Sequence, residues 1–413
     1  MIVKHAYALI FIALALLVPI VGPTACAASA TGPVRDYWPT GTWVQLPPHY
    51  VGMNENRLNS MFASIAVQSY SIDSVLIVHN GYLVVEEYLN PAYNETTWHE
   101  IYSCTKSVIS ALVGVAIEEG RIAGVEEKVL SFFPNMTIAN PDPRKDNITI
   151  EHLLTMTSGL EWHEFDVSYG SPSNDFNLMS NSADWVQYVL DRPMDQDPGE
   201  VWNYNSGTTH LLSAILQNAT GTSPEEYFEF ISTRLGEPIG AGDIDWETDP
   251  QGVLFGGSGI KAYPRDLAKF GFLYLNNGSW DGEQVIPDSW VNASSTGHVS
   301  TGSGAQYGYQ WWVYPEIGMY TALGYGGQHI MVVPEHDLVV VFTASIQDSS
   351  WPFPGLVADY IIPAVEDGPV MAHPPISPLL LPSTAMLTVL IVVVVIGWDK
   401  VKRGRESERF RMD

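Results

Sequence analysis

Two runs of β-prone residues, 74–79 (Ser-Val-Leu-Ile-Val-His) and 82–88 (Tyr-Leu-Val-Val-Glu-Glu-Tyr), meet at Asn80-Gly81. Asn and Gly both tolerate the positive φ that a type I′ turn demands, so the stretch predicts an antiparallel hairpin. No comparable strand signal follows until the last third of the chain. Residues 103–277 read as mainly helical, interrupted by Pro- and Asp-rich loops. Strand-like runs return at 309–314, 319–323, 328–333 and 338–344, and residues 355–365 read as a closing helix. The expected fold class is therefore α+β: one antiparallel sheet built from both chain ends and flanked by helices, with a mainly helical lobe inserted.

The flanks carry different signals. In residues 1–30, Lys4 precedes an apolar run over 6–21, and Ala28-Ser29-Ala30 resembles a cleavage site, so a secretory signal peptide is expected. Residues 31–365 form the globular domain and 366–378 a Pro-containing spacer. Residues 379–398 are an uncharged run long enough to span a bilayer. Lys400, Lys402, Arg403 and Arg405 follow in the tail 399–413. The expectation is one C-terminal transmembrane helix at the cell membrane, a cytoplasmic tail and an extracytoplasmic domain. The formal net charge is −27 although basic residues cluster in that tail, which argues against a nucleic-acid partner. Removal of Cys26 with the signal would leave Cys104 alone, with no intrachain disulfide. Six Asn-x-Ser/Thr sequons, beginning at Asn94, Asn135, Asn147, Asn218, Asn277 and Asn292, carry no assigned function.

Chemistry is signalled at Tyr102-Ser103-Cys104-Thr105-Lys106-Ser107, where a helix follows with Ile109, Leu112, Val113 and Ala116 on one side and Gly120 as its stop. Ser103 and Lys106 then share a helix face one turn apart, so an amine can reach a hydroxyl and raise its nucleophilicity. A second Ser-x-x-Lys, Ser258 to Lys261, competes with it on pattern alone. In Trp202-Asn203-Tyr204-Asn205-Ser206-Gly207, a tyrosine near that lysine could have its pKa lowered and shuttle a proton. Taken alone, a tyrosine in this position is more often an ordinary packed loop aromatic. Gly324-Tyr325-Gly326-Gly327-Gln328 could aim backbone N–H groups into a cleft, or could be a tight strand connection.

Taken together, the order of these motifs resembles the serine β-lactamase and penicillin-binding-protein superfamily, in its class C-related branch. The phrases Ser-Cys-Thr-Lys-Ser and Asn-Tyr-Asn-Ser-Gly are most similar to 6-aminohexanoate-dimer hydrolase-like enzymes. The run 154–160, Leu-Thr-Met-Thr-Ser-Gly-Leu, and the segment 257–271 add to the resemblance, which covers roughly residues 50–365. In that family the second segment is a structural loop and helix, which removes Ser258 and Lys261 as the active pair.

The resemblance implies a β-lactamase/transpeptidase-like fold and a serine hydrolase needing no cofactor or metal. It makes Ser103 the nucleophile of an acyl-enzyme, with Lys106 and Tyr204 sharing base and acid work. Asn205 or Ser206 would assist, and the backbone at Ser103 and at Gly326, Gly327 or Gln328 would bind the oxyanion. The family's Lys-Thr-Gly is absent, since Gly324-Tyr325-Gly326 offers no cation, and Ser206 stands where class C lactamases carry Asn. Both departures favour small-molecule or peptide-like ester and amide substrates over lactams. A penicillin-binding, D-Ala-D-Ala peptidase-like or weak β-lactamase activity is the alternative. A non-catalytic binding or sensing ectodomain is another. Substrate identity and oligomeric state stay open.

Overall fold

The computed structural model describes residues 35–221, 223–242, 244–346 and 352–369. The expected signal peptide, transmembrane helix and basic tail lie outside these residues, as does most of the spacer. No helix among the described residues is long and apolar enough to cross a membrane.

The Asn80-Gly81 hairpin forms as its sequence dictates. Asn80 (φ 52°) and Gly81 (φ 84°) both adopt the left-handed conformation that joins β1 (Ile72–His79) to β2 (Tyr82–Tyr88). The C-terminal part of the chain supplies β3 (Val299–Ser300), β4 (Gln306–Tyr307), β5 (Trp312–Tyr314), β6 (Met319–Gly324), β7 (Gln328–Val333) and β8 (Leu338–Ala344). These make one sheet of eight strands in the order β2-β1-β8-β7-β6-β5-β4-β3, antiparallel at every pairing. The two chain ends therefore meet at β1–β8, where Val75 faces Phe342 and Ile77 faces Val340.

Side chains alternate across a strand, and both sides of this sheet are apolar. Leu76, Val78, Ile330, Val332, Val339 and Val341 join the core shared with the inserted lobe. Their neighbours Val75, Ile77, Met331, Val333, Val340 and Phe342 face the opposite way. That second face is covered by α1 (Glu55–Gln68), through Leu58, Met61 and Ile65, and by the closing helix, through Phe353, Leu356 and Ile361. A pattern that is apolar on both faces does not by itself fix register. The type I′ turn and the buried Ser74 Oγ to Thr343 Oγ1 hydrogen bond, 2.6 Å, do so here.

The inserted lobe packs α2 (Thr105–Glu118), α3 (Ile150–Leu154), α4 (Asp175–Ser180), α5 (Trp185–Leu190), α6 (Ser206–Thr220) and α7 (Pro224–Ile231) ahead of α8 (Pro264–Leu275), which returns to the sheet. The structure adds detail that the sequence did not supply. The long helix α2 is buried almost all round rather than along one stripe, because the lobe encloses it. It begins at Thr105, leaving Ser103 in the 3-10 turn Tyr102–Cys104. Residues 161–181, which carry no clean period in sequence, contain the short helix α4, capped by the Asn174 side chain. A small sheet of His99–Glu100, Ile260–Ala262 and Asp245–Trp246 lies outside the main one, and its strands are too short to show a period.

Candidate active site

Ser103 is presented by a turn under conformational constraint. Tyr102, immediately before it, has φ 47°, a left-handed conformation that a residue with a Cβ adopts only when its surroundings over-determine it. The Tyr102 ring is held edge-on against Tyr325 at 5.6 Å. One turn into α2, Lys106 is 1% exposed. Its Nζ donates to Ser103 Oγ at 2.9 Å, to Ser206 Oγ at 2.9 Å and to the carbonyl of Gly257 at 2.7 Å. Gly257 has no room for a side chain, since a Cβ there would lie 3.0 Å from Ser206 Cβ and 2.9 Å from the Phe255 ring. Its lack of one is what lets the carbonyl reach Lys106. This acceptor was missed from sequence because a backbone carbonyl leaves no residue signature.

Burial lowers the Lys106 pKa from 10.5 to about 8, against the opposing pull of Glu164 and Cys104. The amine is therefore a competent proton acceptor near neutral pH. Tyr204 behaves opposite to the expectation from sequence. Its pKa is raised well above 10, first by burial and then by Tyr169, Tyr307 and Glu164, while a hydrogen bond with Ser103 pulls weakly the other way. The lysine does not lower it, because with its own pKa at about 8 it is already neutral where the tyrosine would ionise. Lys106 Nζ sits 4.9 Å from the ring centroid of Tyr204, over the π face. Phe165 stacks on that ring at 4.1 Å and helps exclude water. Tyr204 is thus a protonated hydroxyl beside Ser103, suited to donate a proton.

The two polar residues after Tyr204 separate in role. Asn205 is the N-cap of α6, its Oδ1 accepting from Thr208 N at 3.0 Å, and it makes no hydrogen bond to Lys106. Capping explains why α6 starts at Ser206. Ser206 is the partner of Lys106. It also donates its hydroxyl to Glu164 Oε1 at 2.7 Å and its backbone N–H to Glu164 Oε2 at 2.9 Å. Glu164, 1% exposed, was not singled out from sequence, where nothing distinguishes one buried acid among 46 Asp and Glu.

The glycine stretch forms the β6–β7 turn. Gly326 (φ 78°) and Gly327 (φ 97°) bend the chain, and Gly327 N–H donates to Gly324 O at 3.3 Å. The carbonyl of Gly326 accepts from Ile346 N–H. Gln328 directs its side-chain amide to Ala344 O and Tyr325 O, and its own carbonyl accepts from the Cys104 thiol. The residue of this stretch that lines the same cleft as Ser103 is Tyr325. Neither the Ser103 nor the Tyr325 N–H makes a backbone hydrogen bond among the described residues.

That cleft has a volume of about 540 Å³. Aromatic rings of Tyr102, Tyr169, Trp185, Phe255 and Tyr325 wall it, with Glu100 and Glu247 as its charged groups and no Lys or Arg in its lining. Ser258 lines it too, but Lys261 is at the surface, bonded to Asp245 at 3.1 Å, so the second Ser-x-x-Lys is not a pair. A smaller cavity of about 60 Å³ behind Val108 and Ile260 is lined mostly by apolar groups and brings no base next to a nucleophile. Among the described residues no three His, Cys, Asp or Glu side chains are placed to hold a metal ion.

The motif order, the antiparallel sheet and the Ser-Lys-Tyr arrangement agree with a match of residues 66–356 to the family model named Beta-lactamase. The chain belongs to the beta-lactamase family. Its relatives in that family are serine hydrolases, and so is this protein. It is 26% identical over 301 residues to the 6-aminohexanoate-dimer hydrolase of Paenarthrobacter ureafaciens, covering 67% of this chain and 72% of that one. Over a shorter stretch of 159 residues it is 26% identical to esterase EstB of Burkholderia gladioli, 36% of this chain and 38% of that one. Among solved structures, a Bacillus anthracis protein provisionally described as a 6-aminohexanoate-dimer hydrolase superimposes with a TM-score of 0.65 at 24% identity. That superposition covers 82% of this chain and 91% of that one and speaks for the β-lactamase-like fold alone.

Proposed function

We propose that this serine hydrolase cleaves an ester or a linear amide through an acyl-enzyme on Ser103, as a membrane-anchored enzyme facing away from the cytoplasm. The observation that carries the reading is the buried amine of Lys106, 2.9 Å from Ser103 Oγ with its pKa lowered to about 8. In acylation, Lys106 Nζ takes the Ser103 hydroxyl proton as Oγ bonds to the substrate carbonyl carbon. The N–H groups of Ser103 and Tyr325 stabilise the oxyanion, Tyr325 standing before the Gly326, Gly327 or Gln328 that the sequence resemblance implies. Collapse breaks the bond to the leaving group, which takes the Tyr204 proton, and Lys106 returns a proton to Tyr204. Water then attacks the acyl carbon, its proton passing to Lys106, and Ser103 leaves with a proton regained.

The cleft's two carboxylates and its lack of basic side chains argue against a substrate whose carboxylate must be held, as in β-lactams and D-Ala-terminated peptides. The names of two relatives, a 6-aminohexanoate-dimer hydrolase and an esterase, support an amide or ester substrate. Incubation with a fluorophosphonate at pH 8–9 is expected to add one phosphonyl group to the tryptic peptide carrying Ser103. No adduct there would sink the reading and favour a binding ectodomain. Stoichiometric labelling by micromolar fluorescent penicillin would favour the penicillin-binding alternative.

The membrane assignment rests on residues 379–398 and the basic positions after them. Full-length protein is expected to stay with membranes through alkaline carbonate washing and to be released by deletion of 379–413. Washing off intact would remove the anchor from the proposal.

A further inference from the structure

Glu164 is buried and absent from the reaction just described. Its carboxylate accepts four hydrogen bonds: from Tyr169 Oη at 2.8 Å and Ser206 Oγ at 2.7 Å on Oε1, and from Trp162 Nε1 at 2.7 Å and Ser206 N at 2.9 Å on Oε2. Two oxygens offer about four lone-pair sites, so every one is filled. A carboxylate buried this deeply persists only when so satisfied.

The direction of these bonds propagates to Lys106. A carboxylate cannot donate, so the Ser206 hydroxyl must donate to Glu164 and can present only lone pairs to Lys106. The Gly257 carbonyl is likewise an acceptor only. Two of the three directions around Nζ are therefore fixed as N–H donors. A neutral amine has two N–H groups and one lone pair, and the direction left for the lone pair is the one toward Ser103 Oγ. We propose that Glu164 is a positioning residue that, through Ser206, aims the lone pair of neutral Lys106 at Ser103. Without it the Ser206 hydroxyl could turn round and donate to that lone pair, occupying the base.

The inference rests on Ser103 and Lys106 being nucleophile and base. Glu164→Gln keeps the shape and introduces a donor beside Ser206. Its kcat for a chromogenic ester is expected to fall about 10²-fold or more, within the range of lost acid–base catalysis, with KM little changed. The carboxylate also raises the Lys106 pKa, so its removal should move the acid limb of the pH–rate profile to lower pH. The groups facing this network are Cys104, Tyr169, Tyr204 and Tyr307, all raised by burial and all protonated across the working range, so the limb reports Lys106.

Because Glu164 acts through Ser206, Glu164→Gln added to Ser206→Ala should lower kcat no further than Ser206→Ala alone. A purely structural carboxylate would instead give additive losses in the double variant, and that result overturns the proposal. Should Glu164→Gln fail to fold, a Ser206→Ala enzyme with wild-type kcat overturns it equally. A wild type acylated at Ser103 with additive losses in the double variant defeats the positioning role alone; a wild type not acylated there defeats both readings.

Discussion

Ser103→Ala is expected to lower kcat for ester hydrolysis by on the order of a millionfold, the usual loss when a covalent nucleophile is removed from an intact site. Substrate binding should survive, because the cleft is walled by side chains that the substitution does not touch. The fold should survive as well. Lys106 loses one acceptor but keeps Ser206 Oγ and Gly257 O, so the change in stability is on the order of 1 kcal/mol, that of one hydrogen bond. The measurements are single-turnover acylation, the thermal midpoint, and intact mass after fluorophosphonate treatment. A Ser103→Ala protein that still gains the phosphonyl mass would place the nucleophile elsewhere. Ser258 is then the first alternative, since it lines the same cleft. No hydrogen bond joins Ser258 to a lysine among the described residues, its motif partner Lys261 being paired with Asp245, which is the reason to expect the adduct of a Ser258→Ala protein at Ser103 still.

Parts of this site are legible from sequence because they depend on local geometry. The spacing of Ser103 and Lys106 works because three residues of helical or 3-10 backbone bring their side chains to one face. Asn80-Gly81 is readable because few residue pairs accept two consecutive positive φ angles. Other parts depend on contacts between segments far apart in the chain. Whether a lysine lowers a nearby tyrosine pKa depends on whether it is still charged when the tyrosine ionises, and burial by distant segments leaves Lys106 neutral first. Gly257 contributes a carbonyl from 151 positions beyond Lys106. Glu164 lies in an aromatic loop with no period, and its burial follows from Trp162, Tyr169 and Ser206 closing round it.

The same distinction separates strands found from strands missed. Runs with four or more β-branched residues, such as β1 and β8, announce themselves. The two-residue strands β3 and β4 hold no pattern to detect and form because β5 gives them a template. Gln310, expected within a strand, has φ 65° and turns its side chain inward instead. There it bonds Thr209 Oγ1 and the carbonyls of Leu153 and Leu154, tying the sheet to the helices that carry the candidate site. That tie is long-range, and no local rule in the sequence anticipates it.

Lys106→Met is expected to lower the acylation rate by about 10³- to 10⁴-fold, the upper range for loss of a general base, while leaving the helix intact. The pH dependence gives the sharper test. With its pKa at about 8, Lys106 is neutral in roughly a tenth of molecules at pH 7, against a few in ten thousand at the ordinary value of 10.5. Burial thus increases the supply of base by roughly 300-fold at neutral pH. The sign follows from the active form being the deprotonated one. The rate should rise about tenfold per pH unit below 8 and flatten above it, and this limb should vanish in Lys106→Met. Tyr204 cannot substitute as the base, because burial keeps its proton on throughout that range. Lys106→Arg should be as slow as Lys106→Met, since a guanidinium retains the charge but does not deprotonate. Recovery of activity in Lys106→Arg would mean that the cation matters rather than the base, and a limb near pH 8 surviving in Lys106→Met would move the proton acceptor to another residue.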